Sequence, residues 1–149
     1  MTGIFPASNR SPDPRAGVLV LCHQPTVRLR LREIFQGCAL ELYEAGSWRE
    51  GAPRLMRHRP QVVICEAALP DAGWKDVLVH TASLQDPPRL IVFASHADDS
   101  LWSEVLNLGG YDVLSHPLVG DEVVRAVGLA WMNWVSERER RQKVGTRIR

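Results

Sequence analysis

The sequence is poor in cysteine, in net charge and in long apolar runs, and each shortage excludes a class of protein. Its three cysteines form no C-x-x-C pair and are odd in number, so we interpret them as reduced, mostly buried thiols. A formal net charge of +1 gives no overall field to attract nucleic acid, anionic lipid or an acidic substrate. No run approaches the roughly 20 apolar residues of a membrane span, and none near the N-terminus suits a signal peptide. We therefore expect a cytoplasmic protein without a membrane partner.

Length and composition predict one domain with a sizeable core. The chain has 149 residues, 45% of them hydrophobic, which leaves no room for two full domains. Residues 1–16 are rich in proline and polar residues, and this predicts a flexible leader. We assign residues 17–136 to the domain and residues 137–149 to a charged C-terminal helix extension or tail. The tail is basic, and a solvated helix end is favoured over a segment that binds nucleic acid or lipid head groups.

Short apolar runs alternate with segments of helical periodicity along the whole domain. Residues 18–21, 62–65 and 90–93 are fully apolar, as expected for strands covered on both faces, whereas 39–44 and 112–114 predict weaker strands. Connections too long for hairpins require right-handed crossovers and a parallel sheet. Placing the most apolar strands at the centre gives the strand order 2-1-3-4-5. We thus predict an α/β fold, a flavodoxin-like (βα)5 sandwich of three layers.

Helices are predicted between and after these strands. Their expected ranges are residues 25–36, 47–58, 74–84, 98–108 and a last helix from about residue 120. In the second helix we expect Ala52, Leu55 and Met56 to pack inwards. The last helix is apolar around most of its circumference, which predicts a second buried face beyond the one that fills the core.

Residues directly after the strands are the candidates for a functional site, because ligands of open parallel sheets bind outside the carboxyl ends of the strands. Three stretches that contain such residues carry a resemblance to a known family. They are residues 18–25 (VLVLCHQP), 59–70 (RPQVVICEAALP) and 108–118 (LGGYDVLSHPL). With the spacing between them, the chain resembles the receiver domain of bacterial response regulators from about residue 17 to residue 135.

This resemblance implies a pocket whose chemistry is altered. In receiver domains an acidic pair after the first strand holds Mg²⁺, and an aspartate after the third strand accepts a phosphoryl group. A hydroxyl after the fourth strand and a lysine before a proline after the fifth strand support the phosphate. The acidic pair falls on Cys22 and His23 and the phosphoacceptor on Glu66. The hydroxyl falls on Ala94, beside Ser95, and the lysine falls on His116.

The altered positions predict a pocket that has lost phosphotransfer. Cys22 and His23 do not suit Mg²⁺, a hard cation that prefers oxygen ligands. Glu66 extends one methylene further than the aspartate it replaces, and a misplacement of about 1 Å can cost roughly 100-fold in rate. We therefore expect no bound metal, no cofactor and no catalytic residue, and interpret the chain as a non-enzyme. Intact phosphotransfer is the less favoured interpretation.

Two other interpretations use the same residues. Cys22, His23, Glu66, His96 and His116 gather at one sheet edge and are types that bind transition metals, so a metal- or small-ligand-binding sensor stays open. A thiol enzyme pairing Cys22 with His23 is disfavoured, because neighbouring residues at a strand end point in opposite directions.

A partner surface is predicted near the end of the domain, because receiver domains dock partners and second copies through the fourth helix, fifth strand and fifth helix. We assign to it Trp102, Val113, Trp131 and Trp134, with simple coverage of the sheet edge as the alternative. The leading hypothesis is an atypical, stand-alone pseudo-receiver of two-component signalling that acts through protein contacts. A homodimer and an unidentified signalling protein are the expected partners, and nucleic acid is not.

Overall fold

The computed structural model describes residues 16–148, and the side chains of residues 16–145. The leader predicted for residues 1–16 lies outside the described residues except for Ala16, which begins the first strand. Strands and helices alternate throughout. They are β1 (Ala16–Leu21), α1 (Pro25–Phe35), β2 (Leu40–Ala45), α2 (Trp48–His58), β3 (Val62–Glu66), α3 (Trp74–Ala82), β4 (Arg89–Ala94), α4 (Asp99–Leu108), β5 (Asp112–Ser115) and α5 (Gly120–Ile148).

The five strands form one parallel sheet in the order β2-β1-β3-β4-β5, which confirms the predicted fold class. β1 lies between β2 and β3, so that Leu21 is in register with Ala45 on one side and Cys65 on the other. Helices α1 and α5 cover one face of the sheet, and α2, α3 and α4 cover the other. The result is a three-layer sandwich.

The fully apolar strands are explained by burial on both faces of the sheet. In β1, Val18 and Val20 pack under α1 and α5, whereas Leu19 and Leu21 pack under α2 to α4. All four side chains are completely buried. Because successive side chains of a strand point to opposite faces, a strand covered on both sides has no place for a polar residue.

Helix α2 packs very closely on β1. Its buried residues are Gly51 and Leu55, and a Cβ atom added at Gly51 would lie 2.2 Å from Cδ2 of Leu21. Ser47 caps the helix by accepting the N–H of Glu50. The expectation that Met56 packs inwards is wrong, because that side chain is half exposed. The inward side of α2 is set by Gly51 and Leu55, and Met56 falls a quarter turn away.

Helix α5 is much longer than the sheet it covers. Its 29 residues span about 43 Å at 1.5 Å per residue. Val123, Val127 and Ala130 form its fully buried stripe. Further along, Arg141 pairs with Asp86 of the α3–β4 loop at 3.1 Å, so the helix stays attached to the domain beyond the sheet. No helix of the described residues is long and apolar enough to cross a membrane.

Candidate functional site

The predicted pocket residues follow the carboxyl ends of neighbouring strands. Leu21 of β1 is in register with Cys65 of β3, so Cys22 and Glu66 are level with each other at this edge. On the far side of β3, Ala94 ends β4 in register with Ser115, which ends β5. The strand order thus brings together positions that are far apart in the sequence.

Glu66 binds the β1–α1 loop through both of its carboxylate oxygens. Oε1 accepts the backbone N–H of His23 at 2.8 Å, and Oε2 accepts a hydrogen bond from Nε2 of Gln24 at 2.6 Å. The side chain therefore links the end of β3 to the loop after β1. Gln24 is one of the residues directly after the strands that are candidates for a functional site, but no receiver position falls on it, so the resemblance does not assign it to the altered pocket.

The carboxylate of Glu66 is directed towards the loop after β1 and away from the pocket positions after β4 and β5. β1 lies on one side of β3, and β4 lies on the opposite side. Because the Glu66 side chain is bound to the β1–α1 loop, it is directed away from Ala94 and His116. Ala94 is half-buried and offers only a methyl group, whereas Ser95 and His116 are exposed. All these residues lie at one edge of the sheet, but within the described chain the hydrogen bonds of Glu66 go to the β1–α1 loop and not to the positions after β4 and β5.

The two buried cysteines are neutral thiols at physiological pH. Cys22 is 2% exposed and donates from Sγ to the carbonyl oxygen of Gln24 at 3.7 Å. Burial raises the pKa of the Cys22 thiol to about 11 and that of Cys65 to about 12. The side chain of His23 is exposed, whereas that of Cys22 is buried. This arrangement does not support a thiol enzyme, because the thiolate is the nucleophile.

The donor groups at this edge do not fit Mg²⁺. That ion prefers near-octahedral oxygen coordination, whereas the receiver metal positions hold a buried thiol at Cys22 and an exposed imidazole at His23. The oxygens of Glu66 are both bonded to the β1–α1 loop. Within the described part of the chain, no group of three His, Cys, Asp or Glu side chains is placed to hold a metal ion. The metal-sensor alternative therefore gains no support.

The β3–α3 loop is fastened at a second point that the sequence does not reveal. Asp71 accepts the backbone N–H of Trp48 at 2.9 Å and that of Arg49 at 2.8 Å, at the beginning of α2. These hydrogen bonds lower the pKa of the Asp71 carboxyl. Together with Glu66, Asp71 ties the loop after β3 to both neighbouring segments. An isolated aspartate in a loop gives no sequence signal for such a distant partner.

The four residues assigned to the partner surface occupy different environments. Trp102 on α4 is 38% exposed, but Val113 and Trp134 are only 4% and 9% exposed. Trp131 is half-buried and packs against the core under α1 and α5, the opposite face of the sheet from α4. Val113 and Trp134 therefore belong to the interior and not to an exposed surface. The large apolar side chains exposed on the described parts of α4 and α5 are Trp102, Leu106, Leu108, Leu129, Met132 and Val144.

No protein-family model and no curated protein matches the chain, but solved structures do. The signal receiver domain assigned to a Luxo repressor protein of Vibrio parahaemolyticus matches with a TM-score of 0.78 and 21% identity, covering 83% of this chain and 95% of that one. The signal receiver domain of an HD domain-containing protein from Pseudomonas fluorescens Pf-5 matches with a TM-score of 0.78 and 23% identity, covering 90% of this chain and 99% of that one.

A response regulator receiver domain protein from Clostridium thermocellum gives a TM-score of 0.71 and 20% identity, covering 79% of this chain and 95% of that chain. The likeness thus spans nearly the whole of each neighbour. At identities below 25% it establishes the architecture: the chain has the fold of response-regulator receiver domains.

Proposed function

We propose that the chain is an atypical receiver-like signalling module that acts through protein contacts and not through phosphorylation of its own. The fold supports a signalling role. The observation that carries the rest is the pair of hydrogen bonds by which Glu66 binds His23 and Gln24. A carboxylate held in this way serves as a link between β3 and the β1–α1 loop. In receiver domains the same position must present a free oxygen to a phosphoryl donor.

The surroundings of Glu66 support the same proposal. Phosphoryl transfer depends on positioning and on neutralising the charge that develops on the transferred group. The positions that supply this support in receiver domains hold a neutral thiol at Cys22, a methyl group at Ala94 and an imidazole at His116. Compensation for the longer side chain of Glu66 would have to come from these groups, which provide no metal site and no hydroxyl.

The proposal is tested by exposing the protein to acetyl phosphate with Mg²⁺ and measuring the intact mass. We expect no phosphorylated species, while a receiver domain with an intact aspartate pocket, treated in parallel, becomes labelled. Glu66→Gln is the matched variant, because any label that persists in it lies elsewhere. Stoichiometric labelling of the unaltered chain that disappears in Glu66→Gln contradicts the proposal.

The protein contact that we propose is with a second copy of the chain, through the exposed apolar residues of α4 and α5. Trp102 and Leu106 lie one turn apart on α4, and Leu129 and Met132 lie on α5. α4 packs beside β5, the edge strand of the sheet, and α5 packs over β4 and β3 on the other face. Light scattering across a concentration series should give the mass of a dimer for the unaltered chain. The double variant Trp102→Asp with Leu106→Asp should give the mass of a monomer. Met56→Asp, on α2 and outside the proposed interface, should leave the dimer intact, and a monomer at the highest concentration contradicts this interface.

A further inference from the structure

A second pocket opens at the opposite edge of the sheet, beside the amino ends of β3 and β4. Its volume is about 550 Å³, within the range of roughly 300–1,000 Å³ that is typical of small-molecule sites. It lies between the end of α2, the loop of residues 83–88 and α5. The apolar residues that line it include Leu55, Pro60, Pro88 and Trp134.

The charged residues of this pocket leave an excess of positive charge. Arg59, directly after α2, and Arg138, on α5, both line it. Among the described residues neither guanidinium pairs with a carboxylate, and Arg138 lies 5.4 Å from the ring centroid of Trp134. Asp86 is the acidic lining residue, and its carboxylate is already paired with Arg141 at 3.1 Å. Two unpaired cations thus border an apolar floor.

The backbone around the pocket is also unusual. Arg59 has φ of 49° and Asp86 has φ of 54°, and these are the non-glycine residues of the described chain with left-handed backbone. Both line the pocket. Residues in sparsely populated backbone conformations concentrate at ligand-binding and functional sites. Arg59 also ends α2, since its N–H donates to the carbonyl oxygen of Leu55.

We propose that this pocket binds a small molecule with a flat apolar body and one anionic group. The apolar body would contact the floor formed by Leu55, Pro88 and Trp134, and the anion would pair with Arg59 and Arg138. Guanidinium groups suit such ligands because they form charge-assisted hydrogen bonds with carboxylate, sulfonate or phosphate oxygens. The site is at the edge remote from Glu66, so it does not depend on the function proposed above.

The test uses a fluorescent anion and its uncharged counterpart. Anilinonaphthalene sulfonate should bind the full chain saturably with one molecule per chain, and phenylnaphthylamine, which lacks the sulfonate, should bind at least about tenfold more weakly. The double variant Arg59→Gln with Arg138→Gln should weaken sulfonate binding roughly tenfold. The effect is limited to this size because the ion pairs between the sulfonate and the two arginines are partly exposed to solvent. Arg57→Gln with Arg125→Gln removes the same charge from outside the pocket and should change the affinity less than about twofold.

A second measurement separates binding from folding. Far-ultraviolet circular dichroism should show that both double variants are folded. If a double variant is not folded, its two single substitutions are measured in its place. In amide proton–nitrogen spectra the sulfonate should shift the signals of His58, Arg59 and Gln61 and of residues 84–86. The proposal is overturned by equal affinity for the charged and uncharged probes, by unaltered binding when Arg59 and Arg138 are replaced, or by shifts confined to another surface.

Discussion

The two ends of β3 hold the neighbouring strand β1 in similar ways but in different surroundings. At the amino end, Oε1 of Gln61 accepts the N–H of Gly17 at 2.6 Å, and Gln61 is only 9% exposed. At the carboxyl end, Glu66 accepts the N–H of His23 at 2.8 Å, in a solvent-exposed position. A lost hydrogen bond costs most where water cannot replace the missing partner. The buried end should therefore stabilise the fold more than the end that receiver domains use for chemistry.

The largest effect is expected from a change in the middle of β3, because the side chain there is buried in the core and its truncation leaves a cavity. Ile64 is 1% exposed, and Ile64→Ala should lower the free energy of unfolding by about 2–5 kcal/mol. Urea denaturation measures this change. Val79→Ala on α3, where the side chain is 70% exposed, should alter it by less than about 0.5 kcal/mol. Equal effects of the two substitutions would show that β3 is not a central support.

The amino end of β3 should give the next largest effect. Gln61→Ala leaves the buried N–H of Gly17 without its acceptor, which should cost about 1–3 kcal/mol of unfolding free energy. The same denaturation experiment reports it. Gln85→Ala, in the exposed α3–β4 loop, removes an equivalent side chain and should be nearly neutral. If Gln61→Ala left the free energy of unfolding unchanged, the buried end of β3 would not be the more stabilising one.

The carboxyl end should give a smaller effect. Glu66→Ala should cost about 0.5–1 kcal/mol, because water can reach the N–H of His23 and the amide of Gln24 when the carboxylate is gone. Hydrogen exchange at the His23 amide should become faster. Glu66→Gln keeps an acceptor oxygen and should restore most of the protection. A cost equal to that of Gln61→Ala would remove the contrast between buried and exposed ends.

The smallest expected effect is a loss of folding stability at alkaline pH. It arises from Cys22, which lies beside the carboxyl end of β3. Burial raises the pKa of Cys22 from 9.0 to about 11 in the folded chain. Folding therefore favours the neutral thiol, and its contribution to stability is complete below pH 9 and is lost as the pH rises towards 11. Thermal melts up to about pH 9.5 sample the beginning of this loss. The loss should be smaller in Cys22→Ala and unchanged in Gln61→Ala, and the opposite pattern would contradict this assignment.

The strands and their order could be predicted because burial of a strand on both faces leaves a clear pattern of apolar residues in the sequence. Strands covered on both faces, such as Val62–Glu66, lose polar alternation, and the placement of such strands at the centre gave the observed order. The position of Glu66 beside the β1–α1 loop follows from that order. Its bonds to His23 and Gln24 do not, since they depend on side-chain conformations that no spacing specifies.

The exposed surface was harder to predict for a related reason. Helix α5 is apolar on most sides, so its periodicity did not show which tryptophan faces inwards, and Trp134 proved to be buried with its Nε1 donating to the carbonyl oxygen of Asp86. Val113 lies on an edge strand, where one neighbouring strand is missing, yet it packs in the core under α2 to α4. Both outcomes depend on how helices are rotated against the sheet, which is a property of the packed molecule.

The close packing of α2 on β1 has a consequence for how this sequence can change over generations. Since a Cβ at position 51 would lie 2.2 Å from Cδ2 of the buried Leu21, enlarging Gly51 requires the Leu21 side chain to move within the packed core or to become smaller. The two positions should therefore vary together among close relatives, with glycine at 51 wherever leucine is kept at 21. In the chain itself, Gly51→Ala should become tolerable once Leu21→Ala has made room, so that the order in which two mutations arise decides whether either survives.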